Sequence, residues 1–193
     1  TYMYHCHFED VEHVQMGMQG IVFVTPTQDG TSKTVTTPSG SRTFTRFAYN
    51  DGDGSTGYDR HFALLLDEIW SRYHDGDRDI QETIPTDYDP EWFTINGRCY
   101  PQTTYPNDTG STSSGITTAN PNTGTNDRSQ PNSALIQVNQ NDRVLLRLAN
   151  LGYQQHALQL PGIPLRVVGQ DASLLRDGAV DTSYRTSTLS LGP

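Results

Sequence analysis

Tyr2-Met3-Tyr4-His5-Cys6-His7-Phe8-Glu9-Asp10-Val11-Glu12-His13-Val14-Gln15-Met16-Gly17-Met18 is the stretch on which the reading of this chain turns. Its first half alternates: Tyr2, Tyr4, Cys6 and Phe8 fall on one parity, Met3, His5 and His7 on the other. Alternation with a period of two is the mark of a β-strand. Gly20-Ile21-Val22-Phe23-Val24-Thr25 then gives a β-branched run that stops at Pro26, so residues 1–25 read as two strands around a loop. Between His5 and Met18 fall three of the six histidines, one of the two cysteines and two of the three methionines. Imidazole, thiolate and thioether together form a ligand set for copper, and a blue-copper site takes two His and one Cys with a weak axial Met. Cys6, His13 and Met18 supply three of those four ligands. If Cys6 points into its own domain, strand geometry turns His5 and His7 to the other face, where a pair of imidazoles is better suited to a second metal centre than to a core. Zinc is the competing metal, but structural zinc sites carry two or more closely spaced Cys. A strand of solvated histidines is the metal-free alternative.

His-Cys-His followed by His and Met resembles the signature of multicopper oxidases, the family of laccases and ceruloplasmin. The resemblance implies that Cys6, His13 and Met18 hold type 1 copper, and that His5 and His7 bind the type 3 pair of a trinuclear cluster. Met16 competes with Met18, but the family's His-x-x-x-x-Met spacing favours Met18. Copper nitrite reductase resembles the same segment at His5, Cys6, His13 and Met18 without needing His7, so His7 tips the balance to an oxidase. The implied activity is oxidation of a small reductant at type 1 copper with reduction of dioxygen to water. A non-catalytic copper or electron-transfer module is the other alternative. The implied partners are the reductant, dioxygen and the remaining cupredoxin domains of the same protein or of neighbouring subunits. The implied location is extracellular, cell-surface or periplasmic.

The rest of the sequence is expected to be all-β, as the end of one cupredoxin-like Greek-key sandwich and the beginning of a second. Residues 26–60 are rich in Gly, Thr, Ser and Asp and read as a linker, with Tyr49-Asn50-Asp51-Gly52-Asp53-Gly54 as its sharpest turn. The second unit is expected over 61–193. Phe62 to Trp70 is an apolar run, broken by Asp67 and Glu68, that periodicity alone leaves open between strand and helix; a strand is favoured. Ile95-Asn96-Gly97-Arg98-Cys99-Tyr100-Pro101 resembles a turn near the start of the second cupredoxin domain in such oxidases. Strands are expected at Leu135 to Val138, Val144 to Leu148, Ala157 to Leu160 and Leu165 to Val168, with turns between them. Residues 107–133 are low in complexity and read as a surface loop. The chain opens at Thr1 inside a motif-bearing strand and is expected to be a processed product or a piece of a longer one.

The 193 residues carry a formal net charge of −9, and hydrophobic residues make up 33%. An acidic chain repels phosphate backbones, which argues against nucleic-acid binding. Of the 13 Lys and Arg, all but Lys33 are Arg, an acidic, lysine-poor balance that suits high salt. No apolar run is long enough to span a membrane. Two cysteines are too few for a disulfide framework, and Cys99 reads as a part-buried thiol. His156 reads as a structural or surface residue, because Leu158 denies it a His-x-His partner; His61 and His74 read as solvated. Asp51, Asp53 and Ser55 carry a trace of a calcium loop, but the required Gly is missing and Phe62 stands in place of the closing Glu. Glu9, Asp10 and Glu12 are loop charges with a possible supporting role to the ligands. The six histidines do not include the further ligands that a complete type 1 site and a trinuclear cluster require.

Overall fold

The structure is a computed structural model that describes residues 1–38, 40–76, 85–104 and 134–193. The low-complexity stretch 107–133 lies outside the described residues. Strands dominate, with two short α-helices and two 3-10 turns among the described residues, so the fold is all-β.

The chain begins with β1 (Tyr2–His5), the short helix α1 (Asp10–Gln15) and β2 (Gln19–Val22). β1 and β2 pair antiparallel, with Tyr2 opposite Val22 and His5 opposite Gln19. A hairpin follows, β3 (Lys33–Thr37) with β4 (Gly40–Phe44). Residues 26–60, expected as a linker, are thus ordered as a hairpin and a packed turn. Phe44 and Phe47 are buried here, together with Ala48 and Tyr58. The sparse apolar residues of this stretch are the ones that fill its interior, which is why composition alone understates its order. Arg42 grips both carboxylate oxygens of Asp59 at 2.9 Å. The Asp59 N–H donates to the Arg143 carbonyl oxygen at 2.8 Å, which fastens the hairpin to the sheet that follows.

That sheet is built on β5 (Arg60–Ile69). After α2 (Ser71–Gly76) comes β6 (Trp92–Ile95), then β7 (Val144–Asn150), and the order across the sheet is β6-β5-β7. β5 pairs antiparallel with β6 and parallel with β7, from Arg60 opposite Val144 to Leu66 opposite Asn150. The run from Phe62 to Ile69 is therefore a strand with a neighbour on either edge, and toward its end the consecutive residues Asp67 and Glu68 are both buried. Asn96 and Gly97 take φ of 55° and 75°, the pair of positive angles that a tight two-residue hairpin turn requires. The Asn96 side chain donates to the Ala63 carbonyl oxygen and accepts from the Leu65 N–H, both at 2.9 Å, so the turn is stitched to β5.

The remaining strands form small antiparallel pairs. They are β8 (His156–Gln159), β9 (Leu165–Val167), β10 (Gly169–Gln170), β11 (Ser173–Leu174), β12 (Arg176–Asp177), β13 (Val180–Asp181), β14 (Tyr184–Thr186) and β15 (Thr188–Leu191). β8 pairs with β15, β9 with β14, β10 with β11 and β12 with β13. Residues 135–138, expected as a strand, form none; the ladder begins only at Val144.

Among the described residues Glu68 is the most enclosed charged side chain, at 0% exposure. Its carboxylate accepts from the N–H groups of Tyr153 at 2.8 Å and Gln154 at 3.3 Å and from the Tyr88 hydroxyl at 3.4 Å, and it meets His156 Nε2 at 2.5 Å. A buried carboxylate is tolerated only when so supplied with donors. Gly152 lets the chain approach this group: a Cβ at 152 would fall inside the Glu68 carboxylate. Gly152→Ala should lower stability by about 1–3 kcal/mol through overpacking, read as a lower urea midpoint with unchanged slope.

Candidate metal centre

Strand β1 delivers Cys6 at its end, and α1 returns the chain so that His13 comes back over it. Cys6 Sγ lies 3.3 Å from His13 Nδ1. Two ligands of one tetrahedral ion, at bond lengths of about 2.3 Å for sulfur and 2.0–2.1 Å for nitrogen, stand roughly 3.5 Å apart. The pair therefore has the spacing of two donors to a common ion. The orientation agrees. His13 Nε2 faces the Glu9 carboxylate at 3.8 Å, and a proton carried on that nitrogen leaves the Nδ1 lone pair toward Cys6. Ligating imidazoles are commonly fixed in this way by a carboxylate on the far nitrogen. Glu9 reaches that position from a left-handed backbone conformation, φ 50° and ψ 47°. The Phe8 N–H donates to Cys6 Sγ at 3.4 Å, and Sγ donates to the Phe8 carbonyl oxygen at 3.0 Å.

Met18 is drawn in through its backbone. Its carbonyl oxygen accepts from the Cys6 N–H and its own N–H donates to the His13 carbonyl oxygen, both at 3.0 Å. Its side chain is 53% exposed. Met16 instead closes the helix, its N–H donating to the Glu12 carbonyl oxygen.

His5 and His7 form a second pair. Their rings stand 4.4 Å apart between centroids and tilt by 36°, as residues two apart on one face do, while the Cys6 side chain between them goes to His13. His5 Nδ1 is 2.8 Å from the Cys6 carbonyl oxygen. Donation there leaves Nε2 as the nitrogen with a lone pair, the tautomer a metal ligand needs. Among the described residues, no group of three or more His, Cys, Asp or Glu gathers around one point; the chain contributes two pairs.

The ligand hairpin is docked by glutamines that the sequence reading passed over. Gln15 is 2% exposed. Its Oε1 accepts from the Trp70 N–H at 2.8 Å and its Nε2 donates to the Tyr88 hydroxyl at 3.0 Å. Gln19 Nε2 donates to the Asp67 carboxylate and to the Val14 carbonyl oxygen. The signal is positional: Val14 and Gln15 are adjacent in the last turn of the helix and both buried, so Gln15 sits beside an apolar contact residue.

Other expectations resolve individually. His156 is paired with buried Glu68. His61 keeps an exposed side but lies over Tyr58, with ring centroids 5.6 Å apart; partial desolvation of the ring and the nearby Arg147 and Arg46 hold its pKa below the ordinary value. His74 is exposed on α2. No disulfide joins Cys6 and Cys99. The calcium trace at Asp51 has another explanation. Its oxygens accept from Gly54 and Thr56 N–H groups, the Thr56 hydroxyl and Gln28, while Arg176 binds both Asp53 and Ser55. These oxygens face hydrogen-bond donors and a cation of the chain itself. No family model matches the chain, and neither does any curated protein or solved structure.

Burial pushes the Asp67 carboxyl up from 3.8 to about 6, against the hydrogen bond from Gln19. The folded protein therefore holds a proton that the unfolded chain releases between those values. Stability contributed by this group falls as pH rises from about 4 to 6. The carboxyls of Asp51, Asp53, Asp142 and Asp181 are shifted the opposite way, so their stabilisation is lost only as pH falls below about 4. Urea unfolding at pH 4.5 and 7 should show the Asp67 component, and Asp67→Asn should flatten that interval.

Proposed function

We propose that His5 to Met18 form part of the copper apparatus of a multicopper oxidase. Cys6, His13 and Met18 are its type 1 ligands, and His5 and His7 are ligands to the type 3 pair of a trinuclear cluster. The observation that carries this reading is the 3.3 Å approach of Cys6 Sγ to His13 Nδ1 beside the paired imidazoles of His5 and His7. When bound, copper supplies one-electron oxidation of a reducing substrate and reduction of dioxygen to water.

The chain's own residues do three things in this scheme. Cys6 and His13 present a soft and a borderline donor to the same point. His5 and His7 present their rings one residue to either side of Cys6, so only a peptide unit and the side-chain bonds separate the thiol from either imidazole. The Cys6 carbonyl oxygen, 2.8 Å from His5 Nδ1, accepts a hydrogen bond from that nitrogen and leaves the Nε2 lone pair outward, and the Glu9 carboxylate lies 3.8 Å from His13 Nε2. The missing ligands are assigned to further cupredoxin domains, and strands β5 to β15 to the beginning of one. The surface of the ligand hairpin supports a partner there. β1 and β2 form a two-stranded sheet, which is marginal without further cover, and Tyr2, Tyr4, Phe8 and Val24 are each more than half exposed. The acidic charge disfavours nucleic acid as that partner. No helix among the described residues is long and apolar enough to cross a membrane.

The test is metal content with visible and spin-resonance spectra of the complete functional unit. A type 1 centre together with a trinuclear centre is expected, and Cys6→Ser should abolish the blue charge-transfer band. A unit with type 1 and type 2 copper alone would favour the nitrite reductase relationship, and a colourless zinc protein would end both. The isolated chain, lacking ligands, should show neither a strong blue band nor oxidase turnover.

A further inference from the structure

We infer that Gln15 is a positioning residue for the metal loop: it locks the helix carrying His13 onto β5 and so keeps His13 against Cys6. The inference rests on the copper reading, but its geometric half stands apart from it. α1 is six residues long, too short to be stable by itself, and its N-cap residue Glu9 makes no side-chain cap. Something outside the helix must hold it, and α1 packs against α2 and β5.

Gln15 supplies the specific part of that contact. Its amide spends its acceptor on the Trp70 N–H, at the point where β5 ends and α2 begins, and a donor on Tyr88. Tyr88 in turn donates to Glu68, which meets His156. The loop bearing the ligands is thereby tied to the fully buried Glu68. Rings reinforce the seat: Trp70 and Tyr73 stand 4.8 Å apart, Trp70 and Tyr88 5.7 Å, and Tyr88 and Tyr153 5.5 Å. A purely apolar side chain at position 15 would fill the space but fix neither the rotation nor the height of α1. The amide fixes both, because its two bonds run to a backbone group and to a hydroxyl on different segments. Gln19 adds a tether at the other end of the loop, to Asp67 and to the Val14 carbonyl oxygen.

The experiment compares the full chain with Gln15→Met, which keeps the volume and removes both hydrogen bonds, and with Asn96→Ala. The latter weakens β5 at the β6 turn without touching α1. Copper(I) affinity is measured by competition with a chromophoric chelator, and amide exchange is followed by mass spectrometry on the metal-free proteins. Gln15→Met should lose about tenfold in copper(I) affinity, the scale found when groups supporting a ligand are removed. It should also accelerate exchange over residues 12–18. Asn96→Ala should leave both unchanged even though it unfolds at lower denaturant. Equal losses in the two variants would reduce Gln15 to general stability and overturn the inference. So would unchanged exchange in Gln15→Met. If the parent chain takes up no copper(I), the copper reading fails, and the exchange comparison still decides whether Gln15 positions the loop.

Discussion

Asp67 and Glu68 are consecutive on β5, and a strand sends consecutive side chains to opposite faces. Both are buried, at 6% and 0% exposure. On one face Asp67 receives Gln19 from the ligand hairpin. On the other, Glu68 gathers Tyr88, His156 and the backbone of the turn before β8. Two adjacent carboxylates inside a strand are costly unless each is met by donors, and meeting them requires segments from far along the chain to close on the same strand. β5 is therefore where the ligand hairpin, the β6 turn and the β8 region become one structure. The rise of the Asp67 carboxyl to about 6 marks how little of that cost its own partners recover.

The ligand hairpin depends on this arrangement because it carries little stability of its own. It has two short strands, a six-residue helix and an outer face of exposed aromatic and aliphatic side chains. What fixes its inner side is polar and specific: Gln15 to Trp70 and Tyr88, Gln19 to Asp67. Hydrogen bonds of this kind add modest net stability but select one orientation among many of similar burial. For a pair such as Cys6 and His13, orientation is what matters, since a rotation of α1 would carry the imidazole away from the sulfur.

The candidate centre has the same division of labour at smaller scale. Donor atoms come from Cys6, His13, His5 and His7. Around them stand the Glu9 carboxylate, the Phe8 backbone and the Cys6 carbonyl oxygen. His156, expected as a structural or surface residue, serves the fold through Glu68. The acidic turn at Asp51 likewise binds the chain's own donors and Arg176 rather than presenting open oxygens.

Local pattern was enough for the strand at Tyr2–His5, for the β5 run, for the Asn96-Gly97 turn and for the clustering of ligand types between His5 and Met18, because each is written in residues next to one another in the chain. It was not enough for residues 26–60, where a few aromatic side chains build an interior that composition hides. Nor was it enough for 135–138, where apolar residues find no neighbouring strand to complete a ladder. The helix inside the ligand loop, the seat of Gln15 and the pairing of Glu68 with His156 were decided only in three dimensions. They join residues 55 to 88 positions apart, and a hydrogen bond across such a distance leaves no periodicity in sequence; it exists only once the strands between have brought both ends to one place.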